Sequence, residues 1–321
     1  MPITSNFNTA NVVNQIIAAK ILVTPTRDMI ASMFSEPFTT PYNNGAQLVL
    51  TRFQQLPPVL TATGGGAQPP PPQQLIRDII PIVIQRYCNS VVLDTQLVMQ
   101  DELPWVAVAA ERTAVAMRLG NDLQYYNALR SNASVYNCKY GVNGDTPTEI
   151  TKTDMLEVYA ALVYASAPQV TSILPGHDMF GTAPVNACYV AMINPAIVPT
   201  LYQISGFAAS GAYPVMSSER SPSEFGFLDF FRYWQSANVP ILYQSSSQGN
   251  DVAITFCVGA KAYAGAFLDA DSIQTIYRDP LFSNQNATLV TVGCNLYFGC
   301  GITQNTWIVQ VRSTVNSIGV F

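Results

Sequence analysis

Apolar positions change their period several times along the chain, and each change marks an element. Residues 5–23 place Val12, Val13, Ile16, Ile17 and Ile21 on one helical face, and Pro25, Pro37 and Pro41 then interrupt the chain. The first 41 residues therefore read as an arm. Two strand-like segments follow, 46–54 and 74–92, rich in Leu, Ile and Val. Between them lie Gly64-Gly65-Gly66 and Pro69-Pro70-Pro71-Pro72. A triple glycine is flexible and a proline run is stiff, and neither can join a central sheet, so this stretch reads as the tip of a hairpin. At roughly 3.3 Å per residue its longer strand would reach on the order of 50 Å. Leu75, Ile76, Ile79, Ile80, Ile82, Val83 and Ile84 put apolar groups on both faces, and a two-stranded hairpin alone is marginal in water. The expectation is that this ribbon, with Arg52 and Phe53 opposite, lies on a neighbouring molecule. An ordinary buried strand pair is the alternative.

A long helix is expected over 101–130, with Asp101 as N-cap and Pro104 in the first turn, where its missing N–H is harmless. Trp105, Val108, Val115, Leu119, Leu123 and Tyr126 form its apolar stripe, and Arg118 can pair with Asp122 on another side. A loop at 132–147 and a helix at 153–167, capped by Thr151 or Thr153, come next. From 187 onward short strands alternate with a helix opened by Asn194-Pro195. Segments 287–299 and 305–314 alternate as two long antiparallel strands would, across the break Gly299-Cys300-Gly301.

Composition sharpens this picture. Only 11% of the residues are charged while 49% are apolar, against about 25% charged in ordinary soluble domains. Such a monomer would expose broad neutral and apolar surface, which favours a subunit covered by neighbours over a solitary polar domain. A net charge of −5 speaks against a dedicated DNA-binding domain. No apolar run approaches a membrane span, and Met1-Pro2-Ile3-Thr4 lacks the basic start of a signal peptide, so a cytoplasmic origin is expected. The six cysteines contain no C-x-x-C pair and read as free, mostly buried thiols.

Catalytic chemistry finds no support. His177 is the one histidine, so a His-based triad or multi-His metal site would have to rest on it. No nucleophile elbow, phosphate loop, dinucleotide fingerprint or zinc-protease motif occurs. Asp269, Asp271 and Asp279, or Glu219 and Glu224, read as solvated loop carboxylates rather than a paired or Ca²⁺ site. The cluster Phe225, Phe227, Phe230, Phe231, Tyr233 and Trp234 carries only Arg232 and suits packing better than base stacking. No enzyme, cofactor or metal site is expected.

The order of arm, hairpin, long helix, α/β domain and returning strands resembles the Hong Kong 97-type fold of tailed-phage major capsid proteins, in its podovirus-type branch without a covalent crosslink. The residues carrying this are Asn44-Gly45-Ala46 with Leu48-Val49-Leu50-Thr51-Arg52-Phe53, then Tyr87-Cys88-Asn89-Ser90-Val91-Val92-Leu93-Asp94, then 119–126. Asn194-Pro195 resembles the start of a helix in the axial domain, and Ser218-Glu219 through Ser223-Glu224-Phe225-Gly226 its glycine-containing turn.

The resemblance implies an α+β chain: N-terminal arm 1–41, extended hairpin loop 42–92, peripheral domain 93–150 with 284–321 and holding the long spine helix, and a mixed α/β axial domain 151–283. It implies a subunit that assembles with itself in pentamers and hexamers as the icosahedral head shell of a virion, made in the host cytoplasm and enclosing double-stranded DNA held weakly. A separate scaffolding protein, a portal and decoration proteins are the further expected partners. No lysine lies between Lys20 and Lys139, so a shell without covalent links is expected. The rival readings are an encapsulin-like compartment shell, an enzyme with an unrecognised site, and a surface adhesin.

Overall fold

The structure, a computed structural model, describes residues 28–41, 45–58, 72–101, 103–171, 187–209, 224–243, 250–268, 273–278 and 288–315. The expected helix at 5–23, most of the hairpin tip (Gly64, Gly65, Gly66, Pro69, Pro70 and Pro71), His177, Glu219 and the aspartates 269, 271 and 279 lie outside these residues.

A 3-10 turn at Ala31–Phe34 leads into β1 (Glu36–Thr40), the hairpin strands β2 (Gln47–Phe53) and β3 (Arg77–Val83), and β4 (Gln85–Asp94). Helices α1 (Thr95–Gln100) and α2 (Trp105–Asn132) follow, then β5 (Ser134–Asn137) and α3 (Lys152–Tyr164). Next come β6 (Tyr189–Ile193), α4 (Val198–Gln203), β7 (Ala208–Ala209), β8 (Glu224–Leu228), β9 (Phe231–Gln235) and β10 (Ile241–Leu242). The chain returns through β11 (Asp251–Val258), β12 (Tyr263–Leu268), β13 (Gln274–Arg278), β14 (Leu289–Ile302) and β15 (Ile308–Val315).

One sheet runs β1-β12-β14-β13 with β4 also on β14, a second runs β5-β15-β11-β6-β9-β8-β7 with β10 on β11, and β2-β3 stand as a separate ribbon. The two large sheets cut across the expected boundaries. Strands β12 and β13, inside 151–283, both pair directly with β14, while β5 and β15 belong to the eight-stranded sheet.

The expected strand 74–92 is two strands. It divides at Ile84, whose N–H donates to Ala46 O at 2.8 Å, and the part beyond pairs with β14 over ten positions from Leu289↔Asp94 to Phe298↔Gln85. The ribbon's seven paired positions therefore span roughly 23 Å, about half the expected reach. The glycines at 299 and 301 are likewise no break. Strand β14 runs through them, and β15 pairs with β11 in the other sheet. Their role is room: a Cβ on Gly299 would lie 2.4 Å from Val83 O, and one on Gly301 would lie 2.6 Å from the Ile82 side chain. Gly299→Ala is expected to cost about 1–3 kcal/mol by overpacking, read as a lowered thermal unfolding midpoint.

Alternation places the hairpin and the spine helix α2 on opposite faces of the β12/β14 sheet. Gly299 and Gly301 of β14, with Ala264 and Ala266 of β12, meet the ribbon. The even positions of β14 meet α2: Cys294 Sγ lies 3.2 Å from Thr113 Oγ1, and Cys300 Sγ donates to Gln124 O at 3.6 Å.

Helix α2 starts at Trp105 with Pro104 in the cap position, and Asp101 instead accepts from Leu103 N–H and Trp105 Nε1–H at 3.2 and 2.8 Å. Its buried face is Ala109, Thr113, Met117, Asp122, Tyr125, Tyr126 and Leu129, rotated from the expected stripe and leaving Leu123 exposed. Asp122 does not pair with the exposed Arg118. It is buried, accepting from Ala31 N–H and Asn238 Nδ2–H, both at 2.9 Å, and so ties the root of the N-terminal segment to α2 and to the turn after β9.

Helix α3 has Thr151, one of the two expected caps, as its N-cap, and Asp154 completes a capping box that the sequence reading did not include. Glu224 is no loop carboxylate: it is buried on β8, with a carboxylate oxygen 3.5 Å from Arg232 Nε on β9. Phe231, Tyr233 and Trp234 are core residues. No helix among the described residues is long and apolar enough to cross a membrane.

Candidate assembly surface

The ribbon β2–β3 pairs with no other strand among the described residues. In strict alternation one row faces inward and one outward. The inner row comprises Leu48, Leu50, Asp78, Ile80 and Ile82, with Ile82 only 1% exposed against Ala264 and Ala266 and Ile84 buried beside it. The outer row pairs Gln47 with Val83, Val49 with Pro81, Thr51 with Ile79 and Phe53 with Arg77. Val49, Phe53, Ile79 and Val83 on that row are each about half exposed, at 49, 57, 54 and 55%.

The expected contact residues thus divide. Phe53, Leu75, Ile76, Ile79 and Val83 are exposed and available to another molecule. Ile82 and Ile84 are not, because small residues of β12 and β14 let the ribbon's root sink into its own sheet, and Ile80 is only partly exposed. Val49 was missed by the sequence reading. Its signal was the period-2 register that aligns it with Pro81 and sets it on the same face as Ile79 and Val83.

Arg52 works inward. Its guanidinium donates to Thr303 O at 3.2 Å and to Gln304 Oε1, and reaches Asp78 at 3.2 Å. Hydrogen bonds from Gln54 and Arg52 hold the Asp78 carboxyl below its usual range. These groups are exposed, so the clasp orients the ribbon and adds little stability. Pro72, the described end of the proline run, is exposed.

Reactive chemistry does not gather anywhere in the described part. No group of three or more His, Cys, Asp or Glu suited to a metal occurs among the described residues. All six cysteines are free. Burial pushes Cys188 up to about 11 and Cys138 and Cys257 further, which leaves them as thiols at neutral pH.

No family model matches the sequence, and no curated protein matches it. The fold, in contrast, is shared along almost the whole chain with solved structures. The capsid of Ralstonia phage GP4 is 9% identical, with a TM-score of 0.72 over 96% of this chain and 97% of that one. The fold is that of a phage capsid subunit. The head structure of Helicobacter pylori bacteriophage KHP40 is 12% identical, with a TM-score of 0.66 over 98% of each chain. The acidic stable capsid structure of Helicobacter pylori bacteriophage KHP30 is 11% identical, with a TM-score of 0.64 over 97% of this chain and 99% of that one. This is the Hong Kong 97-type fold that the order of elements pointed to. Within it the described chain leaves one face of its β2–β3 ribbon apolar and open.

Proposed function

We propose that this chain is the major capsid protein of a tailed phage, and that many copies close into the icosahedral head shell around double-stranded DNA. The observation that carries the reading is the outer face of the ribbon. Four large apolar side chains lie half exposed on one short two-stranded element, a surface suited to contact with another molecule. Agreement in fold with phage capsids along nearly the full length supports it.

The physics of such a shell follows from repetition. Each contact between copies can be weak, because every subunit makes several and closure multiplies them. Covering the ribbon stabilises the contact by about 25 cal/mol per Å² of apolar area buried, less the cost of ordering. With a net charge of −5, the protein holds nucleic acid loosely, which suits DNA that is packed in and later leaves. Pentamers and hexamers as building units, a separate scaffolding protein, a portal and decoration proteins belong to the same reading. So do a shell held by non-covalent contacts alone and a division of the chain into arm, hairpin loop, peripheral and axial parts.

Electron microscopy of the chain expressed with its scaffolding protein tests this reading. The expected result is closed isometric particles on the order of tens of nanometres wide, which boiling in detergent reduces to a single monomer band. A protein that stays single at high concentration counts against it, and particles filled with a protein cargo would point to a compartment shell.

A further inference from the structure

We infer that residues 5–23 form a helix that docks on the outward side of α2 in the same chain, its Val13, Ile17 and Ile21 lying along Val115, Leu119 and Leu123. The inference concerns the single subunit and stands apart from the shell reading.

The surface on α2 is a ridge that the core does not use. Val115, Leu119 and Leu123 stand four residues apart, so they line up over about 12 Å of the helix. Leu123 is 39% exposed, and Val115 and Leu119 are partly exposed and pack on none of the core clusters among the described residues. Beside this ridge Ala116 and Gly120 are small and exposed, and nothing lies within 4 Å of where a Gly120 Cβ would stand. Ridge and shallow groove together make a surface on which another helix can lie.

The occupant is named by its pattern and by where the chain begins to be held. In residues 5–23 the sequence repeats the same spacing, with Val13, Ile17 and Ile21 four apart and Val12 and Ile16 in the row beside them. A helix of this length is marginal in water unless its apolar face is covered. Rows of residues four apart on two helices interdigitate at a crossing of about 50°, a contact that three residues on each side suffice to fill. Lys20 lies on the same face near its end, where its stem covers apolar surface and its ammonium reaches water.

The root of that segment is fixed against α2. Asp28 O accepts from Ser236 Oγ–H and from Asn238 Nδ2–H, and the same amide donates to Asp122. Asp122 also accepts from Ala31 N–H, while Tyr263 O–H donates to Ala31 O. Asp122 is next to Leu123 in the chain and one turn from Leu119, so the segment is tied at the side of the ridge. Residues 24–27 can span at most about 14 Å, and packed helices lie about 8–10 Å apart. The connection therefore reaches its own α2, and being tethered there raises the effective concentration of the helix far above that of any free copy.

Hydrogen exchange and a thiol link test this on the full chain, kept below the concentration at which particles form. Amides of residues 12–21 are expected to exchange at least about tenfold more slowly than in a peptide of residues 1–27. Leu119→Asp, on the outward side of α2, is expected to remove that protection while the amides of α2 itself stay protected. Ile17→Cys with Leu119→Cys, in a chain that also carries Cys88→Ser, is expected to oxidise within one chain, giving a monomer band from which the linked peptides are recovered. Wild-type amides at 12–21 that exchange as fast as the peptide, or protection that Leu119→Asp leaves unchanged, would overturn the docking. A linked dimer in place of the linked monomer would place the helix on another copy and overturn the assignment to its own chain. None of these readings depends on whether particles form, so the shell reading stands or falls separately.

Discussion

Ile82→Asp is expected to yield no folded subunit, whereas Ile79→Asp on the same strand is expected to yield a folded subunit that makes no particles. Ile82 is 1% exposed and packs on Ala264, Ala266 and the open backbone of Gly301. Losing a buried isoleucine costs about 2–5 kcal/mol, and an unpaired carboxylate in the same place adds several more. Domains of this kind carry about 5–15 kcal/mol in all, so little or nothing is left. Ile79 is 54% exposed, and an exposed substitution changes stability by only about 0.5 kcal/mol. Its loss falls on the contact between copies, where a carboxylate would have to be buried against a neighbour. Thermal unfolding with size-exclusion chromatography separates the two outcomes. A soluble, cooperative Ile82→Asp protein would show that the ribbon's root is not part of the subunit core, and normal particles from Ile79→Asp would remove the ribbon from the assembly contact. Ile82 had been expected to serve assembly alongside Ile79, and the structure reassigns it to the subunit's own fold.

Asp122→Ala is expected to lower stability by about 2–4 kcal/mol, because it strands two buried donors, Ala31 N–H and the Asn238 amide, each costing about 1–3 kcal/mol unpaired. The root of the N-terminal segment loses its tie to α2, so residues after 28 should become susceptible to protease in this variant. Burial raises the Asp122 carboxyl above 3.8, while the bonds from Asn238, Ala31 and Ser32 partly offset this. A carboxyl whose folded value is raised binds its proton more tightly folded than unfolded. Its contribution to stability is therefore greatest below the unfolded value near 3.8 and declines as pH rises through the raised folded value. Asp122→Asn cannot titrate and should lack that decline. The check is the difference in unfolding free energy between wild type and Asp122→Asn across the acid range. A difference that does not change with pH would show that the buried carboxyl is not what titrates.

Much of the architecture was legible in order and kind. Helix α3 announces itself by a threonine cap at Thr151, which accepts locally from the Asp154 N–H, and β11 by an unbroken run of apolar and β-branched residues. The scarcity of charge and the hairpin around its Gly/Pro tip pointed to a subunit that needs company, and the order of elements pointed to the fold. All of these depend on interactions within a few residues, or on how much apolar surface exists in total, and a sequence holds both.

What only the tertiary structure decided is which partner each strand and face takes. Helix α2 buries alanine, threonine and aspartate beside its aromatics because β14 and the N-terminal segment approach it closely and bring their own donors, so counting large apolar residues pointed to a rotated face. The glycines at 299 and 301 looked like a turn, yet they are the floor on which the ribbon's root rests. That resting place divides the apolar ribbon into an inner row spent on its own sheet and an outer row left exposed among the described residues. Such choices are made by contacts between residues far apart in the chain, where the pattern of any one segment is the same whichever neighbour it meets.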